Sequence, residues 1–314
     1  MNKNIPRRTA PQTVTIIGAG RLGTALGLAV ATRGYQVACF VAAQRSSARR
    51  AARIIGQHIA HDAGNSIPRP FAAAELDRLP PTAIYLFATP DDALPGASLA
   101  LSCAIDRRAV KTPVALHTSG ALTAEVLKPL QEIGFSVGSL HPLVSIAADP
   151  HAGALSLSEA FYCVEGDAVA VRAARRLVRV LGGRSFTVPA SKKALYHAAA
   201  VVTSGHTVAL FDVACEMLTR CGLDSRTARE VLLPLLASTT RNLHKSAPAQ
   251  AMTGTFARAD SATLERHLAS LTAERLNFAA EVYRLLGRRA VSLARANGAD
   301  SCALKSIERL LDKE

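Results

Sequence analysis

The chain has 314 residues, 49% of them hydrophobic and 19% charged, which is a globular composition with room for one large domain or two medium ones. Its net charge of +13 suits an anionic cofactor, but aromatic residues reach only 4%, Trp is absent and the arginines are dispersed, so no nucleic-acid partner is expected. No apolar run reaches the roughly 18 residues needed to span a bilayer, and the six cysteines lack C-x-x-C spacing, so neither a membrane nor a zinc site is expected and the compartment reads as a reducing cytoplasm.

Met1 to Gln12 is basic and lacks the apolar stretch of a signal peptide, so it reads as a disordered lead. Thr13 to Ile17 is a β-branched run that predicts a buried parallel strand, and Leu22 to Ala31 is Ala/Leu-rich and predicts a helix. Between them lies Gly18-Ala19-Gly20-Arg21-Leu22-Gly23, a G-x-G-x-x-G segment in the strand-to-helix setting that dinucleotide binding requires. Gly18 permits the tight turn, Gly20 lets the backbone approach a pyrophosphate, and Gly23 lets the helix pack on the strand. Arg21 and Leu22 open the helix, whose free N–H groups face the phosphates.

Gln36 to Val41 predicts the second strand and Ser46 to Gln57 the helix after it. A site for NAD would place Asp or Glu about 20 residues beyond the glycine loop, to bind the ribose 2′-OH. None occurs between Gln36 and Arg53. Arg45, Ser46 and Ser47 stand there instead, which points to NADP, with Arg45 pairing the 2′-phosphate and the serines donating to it.

Further strands are predicted at Ala83 to Ala88, Val114 to Leu116, Phe135 to Leu140, Phe161 to Val164 and Ser185 to Val188, with helices at Leu122 to Gln131 and Val169 to Leu181. Three of these strands end in polar motifs, on the sheet edge where ligands bind. Thr89-Pro90-Asp91 serves either the cofactor or simply the turn. His117-Thr118-Ser119-Gly120 and Ser139-Leu140-His141-Pro142 bring two histidines and a serine to that edge, as proton shuttles or as satisfied structural groups. His58 and His61 share a helix spacing but have no third ligand, so no metal is expected.

After Pro189 the pattern becomes helical: Lys192 to Leu218, Ser225 to Lys245, Ala262 to Leu286 and Gly287 to Asn297. The fold class is therefore α/β, a doubly wound, mostly parallel Rossmann sheet (12–189) followed by an all-α C-terminal domain (190–314) for substrate binding and dimerisation. Lys193 and His197, four apart, share a helix face at the start of that domain. Lys193 either faces an interdomain cleft, to protonate or polarise a carbonyl, or is a solvated helix-end charge. The Leu/Ala-rich helices carry more apolar surface than one domain covers, which predicts a homodimer.

These motifs, with Lys193 to Ala200, Leu233-Pro234-Leu235, Thr253-Gly254, Asp260 and His267, resemble those of bacterial Rossmann-like proteins with a C-terminal domain of unknown function, provisionally labelled NADP oxidoreductases. The resemblance runs from Val14 to about Leu271. More distantly the layout is similar to ketopantoate reductase, pyrroline-5-carboxylate reductase and the 3-hydroxyacid dehydrogenases. The first and last of these imply a catalytic lysine at Lys193, with His197 standing where they have asparagine; the closer family has Ser-Asn-Tyr where this chain has Ser204-Gly205-His206. The implied activity is hydride transfer from NADPH to a small carbonyl or imine substrate bearing a carboxylate, with Lys193, His197, His141, His117 and Ser119 at the reacting centre. The competing reading is a non-catalytic NADP-binding sensor or interaction protein.

Overall fold

The computed structural model describes residues 12–59, 66–105 and 112–313. The expected N-terminal lead and His61 lie outside the described residues, apart from Gln12. Eight strands form one sheet: β1 (Thr13–Ile17), β2 (Gln36–Ala42), β3 (Arg69–Ala72), β4 (Ile84–Phe87), β5 (Val114–His117), β6 (Ser136–Leu143), β7 (Phe161–Gly166) and β8 (Arg184–Phe186). Their order is β3-β2-β1-β4-β5-β6-β7-β8. Every pairing is parallel except β6 with β7.

Helices cover both faces. Side chains alternate along a strand, so Ile16 and Leu86 join one core while their neighbours Ile17 and Phe87 join the other. The first core is closed by α1 (Arg21–Ala31), α2 (Arg45–Ile59) and, later in the chain, α5 (Pro150–Ser158) and α6 (Ala168–Leu181). The second is closed by α3 (Leu94–Ala104) and α4 (Lys128–Glu132), with the short turn that precedes α4.

The sequence reading passes over β3, whose Arg-Pro-Phe-Ala string lacks strand character. Pro70 has no N–H to donate, and it is accommodated because β3 is the edge strand beside β2. It also leaves α3 and α5 unassigned; each opens with proline in its first turn and is rich in Ala, Leu and Ser.

The chain divides into two units, at Thr203 and Ser204. The first includes α7 (Lys193–Thr203), which the sequence reading grouped with the helical domain. The second unit holds α8 (Gly205–Arg220), α9 (Ser225–Lys245), α10 (Pro248–Ala251), α11 (Ser261–Ala273), α12 (Asn277–Ala296) and α13 (Ser301–Asp312). Its main core joins Leu264 and Leu268 of α11 to Val291 of α12 and to Leu304, Ile307 and Leu311 of α13. The sequence places a helix break at Leu286/Gly287. The break falls at Glu274 to Leu276 instead, where Arg275 adopts a φ of 57°. Gly287 is a packing residue: a Cβ there would stand 2.9 Å from Leu311 and 3.0 Å from Phe256.

Among the described residues the helical stretch Ala190–Arg220, 31 residues, is long and apolar enough to cross a membrane by length and composition. Its hydropathy comes from many small Ala and Val residues, which a count of uninterrupted apolar residues passes over. The stretch is broken at Ser204 (φ −106°, ψ −78°), between α7 and α8.

A central strand residue tests the sheet. Ile16 is fully buried in the core that α1 helps to close, so Ile16→Ala should lower unfolding free energy by about 2–5 kcal/mol, measured by urea denaturation. A loss below about 0.5 kcal/mol would contradict its central packing.

Candidate functional site

The carboxyl ends of β1, β2 and β4 surround a cleft of about 620 Å³. Gly18 turns the chain out of β1 with a φ of 109°, a conformation L side chains rarely adopt, and a Cβ there would overlap the Ala88 carbonyl oxygen. Gly20 has open space where its side chain would stand, and it caps α1, which has no acidic residue in its first turn. Backbone N–H groups at that helix end are free for an anion. Across the cleft, Thr89 contributes a hydroxyl oxygen that is buried and has no partner among the described residues. A buried hydroxyl left unpaired is costly, and a dinucleotide bound over the glycine loop would satisfy it. Pro90 also lines the cleft, whereas Arg21 is exposed and Leu22 packs against the core.

Around the end of β2 the structure and the sequence expectation diverge. Arg45 donates from Nε to the Pro70 carbonyl at 3.2 Å and pairs through Nη1 with Glu75 at 3.2 Å. Ser46 is exposed, and the cleft is lined here by Ser47 and Arg50.

A second group of residues gathers at the ends of β5 and β6. Strand register sets Phe87, His117, Ser139 and Glu165 side by side across β4, β5, β6 and β7. Lys193, at the start of α7, is completely buried against this row. Its Nζ donates to Ser139 Oγ at 2.5 Å and to the Ser119 carbonyl at 3.3 Å, with Glu165 Oε2 3.9 Å away. Burial pulls the Lys193 pKa down, and Glu165 opposes that shift.

His117 is fully buried with both ring nitrogens committed. Nε2 donates to the Thr123 carbonyl at 3.1 Å, and Nδ1 accepts the Ser119 N–H at 3.2 Å. Ser119 is equally occupied: its hydroxyl donates to Asp91 at 2.9 Å and accepts the N–H groups of Ala121 and Leu122. Asp91 therefore fixes the loop after β5. His117 and Ser119 shape that loop, and neither presents a free donor.

His141 is differently placed. Its Nδ1 meets the Tyr196 hydroxyl at 2.6 Å, and its ring stands edge-on to His197 with centroids 5.5 Å apart. A methyl group on Gly120 would overlap His197 Nδ1 and lie 2.8 Å from His141 Nε2, so both imidazoles close over a residue without a side chain. His197 Nδ1 is buried without a partner among the described residues.

Residues 2–142 match a Rossmann-like domain, and residues 160–290 match a domain of unknown function (DUF2520). The chain is a Rossmann-like domain joined to a DUF2520 domain. No curated protein matches it. Among solved structures it is similar to a Bacteroides fragilis protein provisionally named an NADP oxidoreductase (TM-score 0.68, 21% identity, 90% of this chain and 99% of that one). It is similar also to a Thermotoga maritima protein (TM-score 0.63, 22% identity, 90% and 99%) and to the 1-pyrroline-5-carboxylate reductase of Streptococcus pyogenes (TM-score 0.55, 11% identity, 97% and 100%). At these identities the likeness is one of fold.

The cleft lies in the Rossmann-like segment, but the histidine–lysine cluster draws on both. His117, Ser119 and His141 come from the Rossmann-like match; Glu165, Lys193, Tyr196 and His197 come from the DUF2520 match. Sequence reasoning missed Glu165, Arg50, and Ser139 and Tyr196 as participants. Ser139 and Tyr196 stood inside motifs already singled out, two residues before His141 and one before His197. Glu165 becomes visible only through the antiparallel register that sets it opposite Ser139.

Burial, and then the Lys193 charge, push the His117 pKa from 6.5 down to about 3; burial, His197 and Lys193 take His141 to about 4. Because the folded value is depressed, the unfolded chain takes up the proton first. The stability from a neutral His117 is complete above its unfolded pKa of 6.5 and is lost as pH falls toward about 3. Stability should therefore drop by on the order of 1–2 kcal/mol from this residue between pH 7 and pH 5. Urea titrations at the two pH values should show that drop, and a smaller one in His117→Gln. Equal slopes in both proteins would remove His117 as the cause.

Proposed function

We propose that this chain is an NADP(H)-dependent oxidoreductase acting on a small carbonyl or imine compound, with a carboxylate on the substrate. One observation carries the reading. The Ser119–Asp91 hydrogen bond, 2.9 Å, ties the segment that walls the dinucleotide cleft to the loop that covers Lys193 and touches His141. Cofactor cradle and proton-bearing cluster are thus adjacent on one sheet edge, as reductive chemistry requires.

The Gly18–Gly20 loop and the first turn of α1 would hold the pyrophosphate, and Thr89 would donate or accept at the cofactor. The nicotinamide supplies hydride when bound. The remaining work falls to the chain's own groups. Were the Tyr196 hydroxyl to donate to His141 Nδ1, 2.6 Å away, the neutral imidazole would carry its own proton on Nε2, beside Gly120. A neutral imidazole so oriented donates to a substrate oxygen or nitrogen as charge develops there. Lys193 acts from below the Ser119–Gly120 loop as a fixed positive charge that favours an oxyanion or carboxylate above it. His117 keeps that loop in place, through two backbone contacts.

NADPH should bind at least about tenfold tighter than NADH, read by calorimetry; equal affinities would remove the 2′-phosphate from the argument. Once a metabolite screen has yielded a substrate, His141→Asn should lower turnover by about 10²–10⁴-fold and leave NADPH affinity unchanged. Unchanged turnover would exclude His141 as donor.

One observation favours a second reading, an NADP-binding sensor without turnover. The Lys193 ammonium has no exposed surface and is satisfied by its own chain. NADPH binding with no oxidation across a metabolite extract would favour this alternative.

A homodimer is proposed on the exposed apolar side chains of the second unit, among them Val208 on α8 and Val231, Leu233 and Leu235 on α9. Light scattering should give twice the chain mass of 33.0 kDa at micromolar concentration; a monomer would refute it.

A further inference from the structure

Helix α2 begins Arg45-Ser46-Ser47-Ala48-Arg49-Arg50, with Arg53 one turn further and no acid in its first turn. Cations near a helix N-terminus face the positive end of the macrodipole, which is unfavourable unless an anion joins them. Which arginine would meet that anion is a question of geometry. Arg45 is held already by the Pro70 carbonyl and by Glu75, and Glu75 also accepts the Ala72 N–H at 2.8 Å and lies 3.7 Å from Arg78. This network fastens α2 to the turn that follows β3. Ala73 and Leu76, in that turn, form part of the cleft wall.

Arg50 is in the opposite situation. It lines the cleft together with Ser47, one turn earlier on the same helix face. Helical side chains lean toward the N-terminus, and Arg50 Nη2 reaches back to Ser47 Oγ at 3.4 Å. Among the described residues no carboxylate pairs with it.

The geometry points to Arg50, with Ser47, as the pair that recognises the 2′-phosphate, and to Arg45 as a positioning residue that holds the cleft wall through Glu75. This inference rests on the NADP reading above. A guanidinium and a hydroxyl can together offer a phosphate several charge-assisted donors, and the distinction from NAD then depends on one side chain.

Nucleotide fragments separate the roles without any turnover. Calorimetry with adenosine 2′,5′-bisphosphate and with AMP gives a ratio that reports the 2′-phosphate alone. The ratio should be at least about tenfold in the unaltered protein. Arg50→Met should bring it to about one while AMP affinity is unchanged. Arg45→Met and Glu75→Gln should weaken both ligands together and preserve the ratio. A preserved ratio in Arg50→Met, or a collapsed one in Arg45→Met with AMP affinity intact, would overturn the assignment. Unaltered protein that binds neither fragment, nor NADPH, would instead overturn the cofactor reading itself. Both arginines lie on the helix surface, and an unchanged melting temperature will identify folded variants.

Discussion

A lysine ammonium removed from water must be met by protein acceptors, and the arrangement around Lys193 follows from that demand. An uncompensated buried charge costs several kcal/mol. Three acceptors meet it here, each from a different part of the chain: the Ser139 hydroxyl of β6, the Glu165 carboxylate of β7, and the Ser119 carbonyl of the loop after β5. The antiparallel pairing of β6 with β7 sets Glu165 opposite Ser139. His117 and Asp91 hold the loop so that the Ser119 carbonyl faces the ammonium. The same contacts keep α7 with the sheet unit.

Two sites of different chemistry share the sheet's edge. The cleft over the glycine loop is walled largely by Gly, Ala and other small groups, with few polar atoms. A flat base and a sugar–phosphate chain need backbone approach and shape more than charge. The adjoining cluster is dense in titratable groups, with imidazoles kept neutral by burial and by the lysine's charge. A neutral imidazole donates or accepts a hydrogen bond without the ion's desolvation penalty, so the two sites differ in what each can stabilise.

The glycine loop, the alternation of strands and helices, and the switch to all-helical sequence were legible because each is a local pattern. Gly18 is readable as a turn, and β1 as a buried strand, from adjacent residues. The edge strand β3 was not, since Pro70 and Arg69 are tolerated only by its position at the margin. The different surroundings of Arg45 and Arg50 were equally hidden. Both are arginines near one helix start, and the difference is made by Glu75, which lies 30 residues beyond Arg45. His117 gave a chemical signal from sequence, but its ring turns out to serve two backbone groups. Glu165 gave none, because its neighbour Ser139 is a neighbour only across strands.

The buried thiols have a practical consequence. Cys39 lies within β2, accepts or donates to Thr15 at 3.1 Å, and is pushed by burial up to about pKa 11; Cys163, on β7 near the other end of the sheet, is buried and also raised. Cys103, Cys221 and Cys302 are exposed. Alkylating reagents act on accessible thiolates, so the outer cysteines should label at once and the inner two only when their strands open. The sheet thereby carries two native clocks for local opening, one on each side of β1, in a chain that has no tryptophan to report it.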